Sequence, residues 1–325
     1  MIAVMPAAPS RRAVLRLGGL GLAAVAVSGC SGDRRRTPWS PSPGVEEADP
    51  SPPPDTELLV AARDRVARYR TMLAGVTPEG SGQRAEVNGR QEVWPVQQER
   101  LETLLSLSGV EPAPADDAAL TSAPEGGSST GAPVAVADLA QALLADLPTA
   151  FAEVARSTPT NRAMLTSLAA EHAFAAQALG ADPPWPMLVG PAGTAAVPVL
   201  GATRPAAVGL EVVAARSGGE ERERYESILA SLQAITRTLT TLAGDAAPVP
   251  PLGYDLPEPL DTADQRAELA RTLVLDIAPA VLSVADRAGS SAEQVRSLVR
   301  IVVEASTWGR RLGAPVDAFP GMTLP

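Results

Sequence analysis

The chain has 325 residues, with 27 basic and 37 acidic side chains and a formal net charge of −10 at pH 7. Nucleic-acid binding needs clustered positive charge, so we expect no nucleic-acid partner. The single cysteine excludes an intramolecular disulfide, so the fold must be held by its hydrophobic core.

The first 29 residues have the three parts of a bacterial signal peptide. A basic segment with Arg11 and Arg12 is followed by an apolar stretch from Leu17 to Val27 and by small residues before Cys30. The apolar stretch is shorter than the about 20 residues that a transmembrane helix needs. The pattern Ser-Arg-Arg-x-hydrophobic-Leu-basic around Arg11 and Arg12 resembles a twin-arginine export signal.

Cys30 ends the run Val27-Ser28-Gly29-Cys30, which resembles the lipobox of bacterial lipoproteins. The resemblance implies that the cysteine receives a diacylglycerol group and that the chain is cleaved just before it. Two or more acyl chains give stable anchoring. The alternative is a buried apolar thiol without a special role. We predict lipidation of Cys30 and a mature protein on the extracytoplasmic face of the cell membrane.

Two segments have a composition typical of chain without a core. Residues 30–55 are rich in proline and serine, which predicts an extended stalk, and its Trp39 is placed to sit at the membrane interface. Residues 109–133 combine proline, alanine, glycine and serine, which predicts a mobile loop.

The remaining chain has helical periodicity without sustained period-two alternation, which predicts an all-α fold. We predict an amino-terminal bundle over residues 56–180. Its four helices are expected near 56–74, 94–109, 134–156 and 159–179. Pro148 is expected to kink or interrupt the third of them.

A proline-rich connector, residues 181–198, leads to a second predicted bundle over residues 199–321. Its helices are expected near 204–216, 220–242, 262–288 and 291–312. Pro279 should bend the third of these helices. Ser291 and Gln294 have the spacing of a capping box at the start of the last one. Two four-helix bundles are the simplest architecture.

Four short motifs in the carboxy-terminal half resemble a known family. They are Tyr254-Asp255-Leu256-Pro257, Trp308, Arg311-Leu312-Gly313 and Ala318-Phe319-Pro320-Gly321. The family is a ferritin-like domain of unknown function in secreted proteins and lipoproteins of high-GC Gram-positive bacteria. The resemblance covers roughly residues 196–321 and implies an up-and-down four-helix bundle, with residues 56–179 as its companion. The family commonly has an adjacent Glu-His pair in its first helix, whereas this chain has Glu211 followed by valine.

A ferritin-like architecture raises the hypothesis of a di-iron centre, which requires two Glu-x-x-His motifs. His172 is the only histidine and Ala169 stands three residues before it, so the motif is absent. Glu171 and His172 remain weak candidates for a mononuclear metal site, with a carboxylate such as Glu153. Adjacent helical residues point about 100° apart, so we favour a structural role for His172 at the surface or the edge of the core. We predict no cofactor.

No catalytic constellation emerges, because His172 has neither a nucleophile elbow nor a strand that could hold one. We predict a non-enzymatic binding or scaffolding module for another envelope protein or for a small ligand between the bundles. The alternatives are a metal- or cofactor-dependent ferritin-like redox protein and a solute-binding lipoprotein. We expect Trp308 in the core. Trp185 is expected either to fasten the bundles together or to anchor a partner, and we prefer the first.

Overall fold

Helices make up nearly all the regular structure of residues 53–110 and 133–323, the parts of the chain that the computed structural model describes. The predicted all-α class is therefore confirmed. In these two ranges the only strand-like pairing is an isolated bridge between Val76 and Val134. The predicted export signal, Cys30, most of the stalk and most of the loop lie outside the described residues.

The amino-terminal half forms two helical hairpins. Their helices are α1 (Thr56–Ala74), α2 (Ser81–Leu107), α3 (Val136–Arg156) and α4 (Pro159–Ala178). Helix α1 packs on α2, and α3 packs on α4. Pro148 lies within α3, which continues through it.

Helix α2 begins 13 residues before the start that we predicted at Trp94. Its first half is mostly polar and buries few side chains, among them Val87 and Arg90, so it has no continuous apolar stripe. Gly89 also discourages a helix in isolation. It is accommodated because Val316 packs against it, and an added Cβ would lie 2.7 Å from the Val316 Cγ2 atom. Tertiary packing therefore outweighs local preference here.

The carboxy-terminal half contains six α-helices within the described residues. They are α5 (Ala196–Ala215), α6 (Gly219–Ala243), α7 (Ala263–Leu275), α8 (Ile277–Leu282), α9 (Ala285–Ala288) and α10 (Ala292–Arg311). The prediction of a single bent helix over 262–288 is wrong, because three short helices occupy this range. Helix α7 ends at Leu275, four residues before Pro279, whose nitrogen cannot donate to the Leu275 carbonyl.

The capping box is found at α7 and only half of it at α10. The Thr262 side chain accepts from the Gln265 backbone N–H, and the Gln265 side chain accepts from the Thr262 backbone. At α10 the Ser291 hydroxyl accepts from the Gln294 backbone as predicted. The Gln294 side chain, however, accepts from the backbone N–H of Ser290, one residue earlier than a capping box requires.

Helix α10 lies at the centre of the packing. It contacts α3 and α4 from one half of the chain and α7 and α8 from the other. Buried side chains from both halves form one continuous hydrophobic cluster. Trp308 of α10 is 2% exposed, which confirms its predicted place in the core. Trp185 packs against the same cluster and shares a cleft with Phe151 of α3 and Arg296 of α10.

Residues 193–215 are long and apolar enough to cross a membrane by length and composition alone. Half of their most apolar window is buried inside the fold. Contacts of α5 with α6, α7 and α8 explain this composition, because a helix with neighbours on several sides has several apolar faces.

Candidate functional site

A cluster of buried polar side chains lies where α1, α2 and α4 meet. Arg90, Trp94 and Gln97 follow one another at i, i+4 and i+7 on α2, and so they share one face of that helix. Glu171 and His172 approach from α4. Arg90, Trp94, Gln97 and Glu171 have no solvent exposure, and His172 is 3% exposed.

Glu171 is held by three neighbours from α2. The Trp94 Nε1 and Gln97 Nε2 atoms donate to its Oε2 oxygen at 2.9 and 3.1 Å. The Arg90 Nε atom lies 3.4 Å from its Oε1 oxygen. Burial raises the pKa of Glu171, and the Arg90 charge and the two hydrogen bonds offset part of that rise. The arrangement pairs a buried carboxylate with a buried cation and satisfies one oxygen fully.

The orientation of the Gln97 amide shows which ring nitrogen of His172 carries the hydrogen. Its Nε2 atom also donates to the Ala318 carbonyl at 2.7 Å, so its Oε1 atom must be the one that faces His172 Nε2, at 3.3 Å. His172 therefore carries its hydrogen on Nε2. Burial and the nearby charge of Arg65 lower the pKa of His172 to about 3. The imidazole is neutral at physiological pH.

The predicted position of His172 at the surface or the edge of the core is wrong, because the ring is buried. Its contacts explain how the core accepts it. The Tyr69 ring meets it edge to face at 5.0 Å between centroids. A neutral ring with a hydrogen-bond partner avoids the cost of burying a charge. The adjacent pair Glu171 and His172 does converge on shared polar neighbours, which the 100° argument alone did not anticipate.

The hypothesis that Glu171 and His172 bind a metal ion lacks a third ligand within the described residues. Residues 53–110 and 133–323 contain no group of three histidine, cysteine, aspartate or glutamate side chains that could hold a metal ion. Glu153, the third ligand considered, forms an ion pair with Arg65. It lines a cavity of about 10 Å³ together with His172. That space suits about one water molecule.

The network extends to the chain segment after α10. The Ser167 hydroxyl of α4 donates to the Pro320 carbonyl at 2.9 Å, and Gln97 holds the Ala318 carbonyl. Phe319 between them is fully buried. Arg310 of α10 forms an ion pair with Glu86 of α2 at 3.0 Å. The buried polar residues thus join the two halves of the chain.

A groove on the outside of the fold has a different character. It lies between α6, α10 and the segment 186–189 of the connector, and its volume is about 430 Å³. We call it the connector groove. Its lining consists of Met187, Leu188, Ser231, Ala234, Ile235, Thr238, Arg300 and Glu304.

Two hydrogen bonds fix the connector wall of this groove. The Arg300 Nη1 atom donates to the Pro186 carbonyl at 2.6 Å. The Val189 backbone N–H donates to the Ser297 hydroxyl at 3.1 Å. The wall is therefore tied to α10 at both of its ends.

Polar groups in the connector groove are left unpaired. Glu304 makes no hydrogen bond or ion pair with any residue that the structure describes, and burial raises its pKa. The Arg300 Nε atom is buried and, within the same described residues, has no hydrogen-bond partner. Glu304 is partly buried and lines the cavity, so its carboxyl group is placed to meet a ligand in the groove.

Sequence reasoning identified Glu171 and His172 but missed their partners and the connector groove. The spacing of Arg90, Trp94 and Gln97 was an available signal, because large or polar side chains at i, i+4 and i+7 share a helix face. Glu304 offered no comparable signal. Its neighbours in space come from α6 and the connector, which are distant in sequence.

Comparisons with protein-family models, with curated proteins and with solved structures found no match.

Proposed function

We propose that this chain is a lipid-anchored protein of the cell envelope that acts as a non-enzymatic binding or scaffolding module. The signal that contains Arg11 and Arg12 would direct export of the chain, and lipidated Cys30 would then anchor it to the membrane. The folded part would consist of two ferritin-like helical bundles that share α10 as a common packing element. Its partner would be another envelope protein or a small ligand.

One contrast carries the proposal. A catalytic acid or base must reach the proton that it transfers, within hydrogen-bond distance or through one water. His172 is 3% exposed and hydrogen-bonded to Gln97, and Glu171 is fully buried and held by α2. The buried acid and base are thus out of reach of a substrate, whereas the carboxyl group of Glu304 lines a cavity on the outside of the fold. This combination favours binding over catalysis.

A ferritin-like redox protein is the second candidate. The observation in its favour is the convergence of Glu171 and His172, an oxygen and a nitrogen donor, in the core at the junction of three helices. Twin-arginine passengers are known to travel folded, sometimes around a cofactor, and that export route would suit such a protein.

Native mass spectrometry with metal analysis separates the two candidates. The protein should be produced through its own export route so that any cofactor is inserted. We expect a lipidated chain without stoichiometric metal and, after crosslinking in intact envelopes, recovery of the same partner from repeated preparations. One metal ion per chain, lost in His172→Gln and retained in the neighbouring surface variant Gln98→Leu, would refute the non-enzymatic proposal and support the redox one.

A further inference from the structure

We propose that the connector groove binds a small organic ammonium compound with an apolar tail. This inference rests on the proposed binding function and names the ligand class for it. The site combines apolar walls and a volume of about 430 Å³ with the carboxyl group of Glu304, which has no hydrogen-bond or ion-pair partner within the described residues. Small-molecule sites commonly have volumes of about 300–1,000 Å³ and a few polar groups on apolar walls.

The carboxyl group of Glu304 selects the charge of the ligand. Glu304 is partly buried, and this loss of contact with water disfavours its charged form, so a neighbouring positive charge would stabilise the carboxylate. Arg300 stands one helical turn away and its charge lowers the pKa of Glu304, which offsets part of the effect of burial. Its Nη1 atom, however, donates to the Pro186 carbonyl, and it forms no ion pair with Glu304 within the described chain. An ammonium group would supply both the opposite charge and N–H donors.

The walls of the groove select an apolar tail. Leu188 and Ile235 are 7% and 5% exposed, and they form its floor with the Ala234 methyl group alongside. Met187 lies at the mouth and is 85% exposed. A flexible thioether side chain can close over ligands of different shape. Covering it would remove apolar surface from water, which favours binding.

The hydroxyl groups of the groove do not compete for this role. Thr238 donates its hydroxyl hydrogen to the Ala234 carbonyl and Ser231 to the Ser227 carbonyl, both within α6. Such bonds to the preceding helical turn are the usual state of serine and threonine in helices. Glu304 is therefore the group that would hold the head of the ligand.

The test is a titration of the purified full-length mature chain with n-hexylammonium. Methyl NMR of ¹³C-methionine reports on Met187, whose signal is assigned with Met187→Leu, and calorimetry gives the stoichiometry. We expect one saturable site and a shift of the Met187 signal. Hexanol and hexanoate, which have the same tail, should bind at least about tenfold more weakly, because a hydrogen bond to a charged group is strong.

Two variants locate the site. Glu304→Gln keeps the shape of the side chain and should weaken hexylammonium binding about tenfold, whereas the control Glu293→Gln, an exposed position on the same helix, should not. Ala234→Phe fills the groove from an exposed position and should abolish binding without unfolding the chain.

Three results would overturn the inference. They are the absence of saturable binding, equal affinity for hexanol and hexylammonium, and unchanged affinity in Glu304→Gln. Any of them would remove the ammonium ligand and leave the scaffolding proposal standing if crosslinking still recovers an envelope partner. Stoichiometric metal in the native protein would instead remove the scaffolding proposal, whatever the titration shows.

Discussion

Gln97 and Glu171 are joined by a hydrogen bond of 3.1 Å that belongs to a larger arrangement of the Gln97 amide. The same nitrogen donates to the Ala318 carbonyl, and the amide oxygen faces His172. One side chain of α2 thus contacts α4 twice and the carboxy-terminal segment once. Because each group is buried, the amide cannot be replaced without leaving a partner unsatisfied.

Replacing Gln97 by leucine should therefore lower the free energy of unfolding by about 2–4 kcal/mol, since a buried carboxylate oxygen, a carbonyl and an imidazole N–H would each lose a partner. Urea denaturation of the purified protein measures this. Gln98→Leu is the matched control, because Gln98 is partly exposed and its two side-chain partners, Arg70 of α1 and Glu102 of α2, lie near the surface, where water can replace it. An equal loss of unfolding free energy in the two variants would show that the buried Gln97 amide stabilises the fold no more than the exposed Gln98 amide does.

Gly321 should tolerate substitution less well than Gly313, although both have positive φ angles, +83° and +86°. An alanine Cβ at 321 would lie 2.7 Å from the backbone carbonyl carbon of Ala278, whereas at 313 its nearest neighbour would be 3.8 Å away. Gly313→Ala should cost about 1–2 kcal/mol from the left-handed backbone alone. Gly321→Ala should cost clearly more.

Thermal unfolding of the two glycine variants under identical conditions gives the comparison. A loss in Gly321→Ala no larger than that in Gly313→Ala would mean that the carboxy-terminal segment does not pack closely against α8.

His172 should make the protein less stable as the pH falls. Its pKa is about 6.5 in the unfolded chain and about 3 in the folded one, so its contribution is fully present above pH 6.5. Below that value the unfolded chain binds a proton that the folded chain does not, and stability falls by up to about 1.4 kcal/mol per pH unit toward pH 3.

Glu171 has the opposite effect on the pH dependence of stability. Its folded-state pKa is raised above the usual 4.5, so its cost to stability falls as the pH drops toward 4.5. Comparing the wild-type protein with His172→Gln between pH 7 and 5 isolates the histidine, because Glu171 is present in both. We expect the variant to lose about 2 kcal/mol less over this range. Parallel stability curves would show that His172 titrates normally in the fold.

Cys30→Ser should release the protein from the membrane or leave it unprocessed, because a serine cannot carry the thioether that anchors a lipoprotein. Fractionation of cells and medium, with the mass of the product, measures both outcomes. Ser28→Ala is the matched control, since it keeps a small residue and the cysteine. A Cys30→Ser protein that remains membrane-bound at the mature mass would contradict lipid anchoring through this residue.

The helical class was predictable because most core residues recur at the three- and four-residue spacing of an amphipathic helix, which is visible in the sequence. Helix α2 shows where this fails, since its polar first half buries Arg90 against Glu171 of a different helix, and local periodicity carries no record of that partner. The split of 262–288 was underestimated because a proline inside a helix can either bend it or end it.

His172 shows the corresponding limit for the candidate site. A lone histidine in an apolar helix fits a surface, an edge or a core equally well until its partners are known. Those partners, Gln97 and Tyr69, lie on two other helices and contact the ring only in the folded chain. The connector groove was beyond prediction for the same reason.

Helix α10, which contacts both halves of the fold, also determines when the apolar faces of the earlier helices become covered during synthesis. The ribosome makes it after α1 to α9, so the faces of α3 and α4 that rest on it stay uncovered until residues 292–311 have emerged. An amino-terminal half released early would carry exposed apolar surface and be prone to aggregate. An export pathway that accepts only finished, folded cargo would never present such an intermediate to the far side of the membrane.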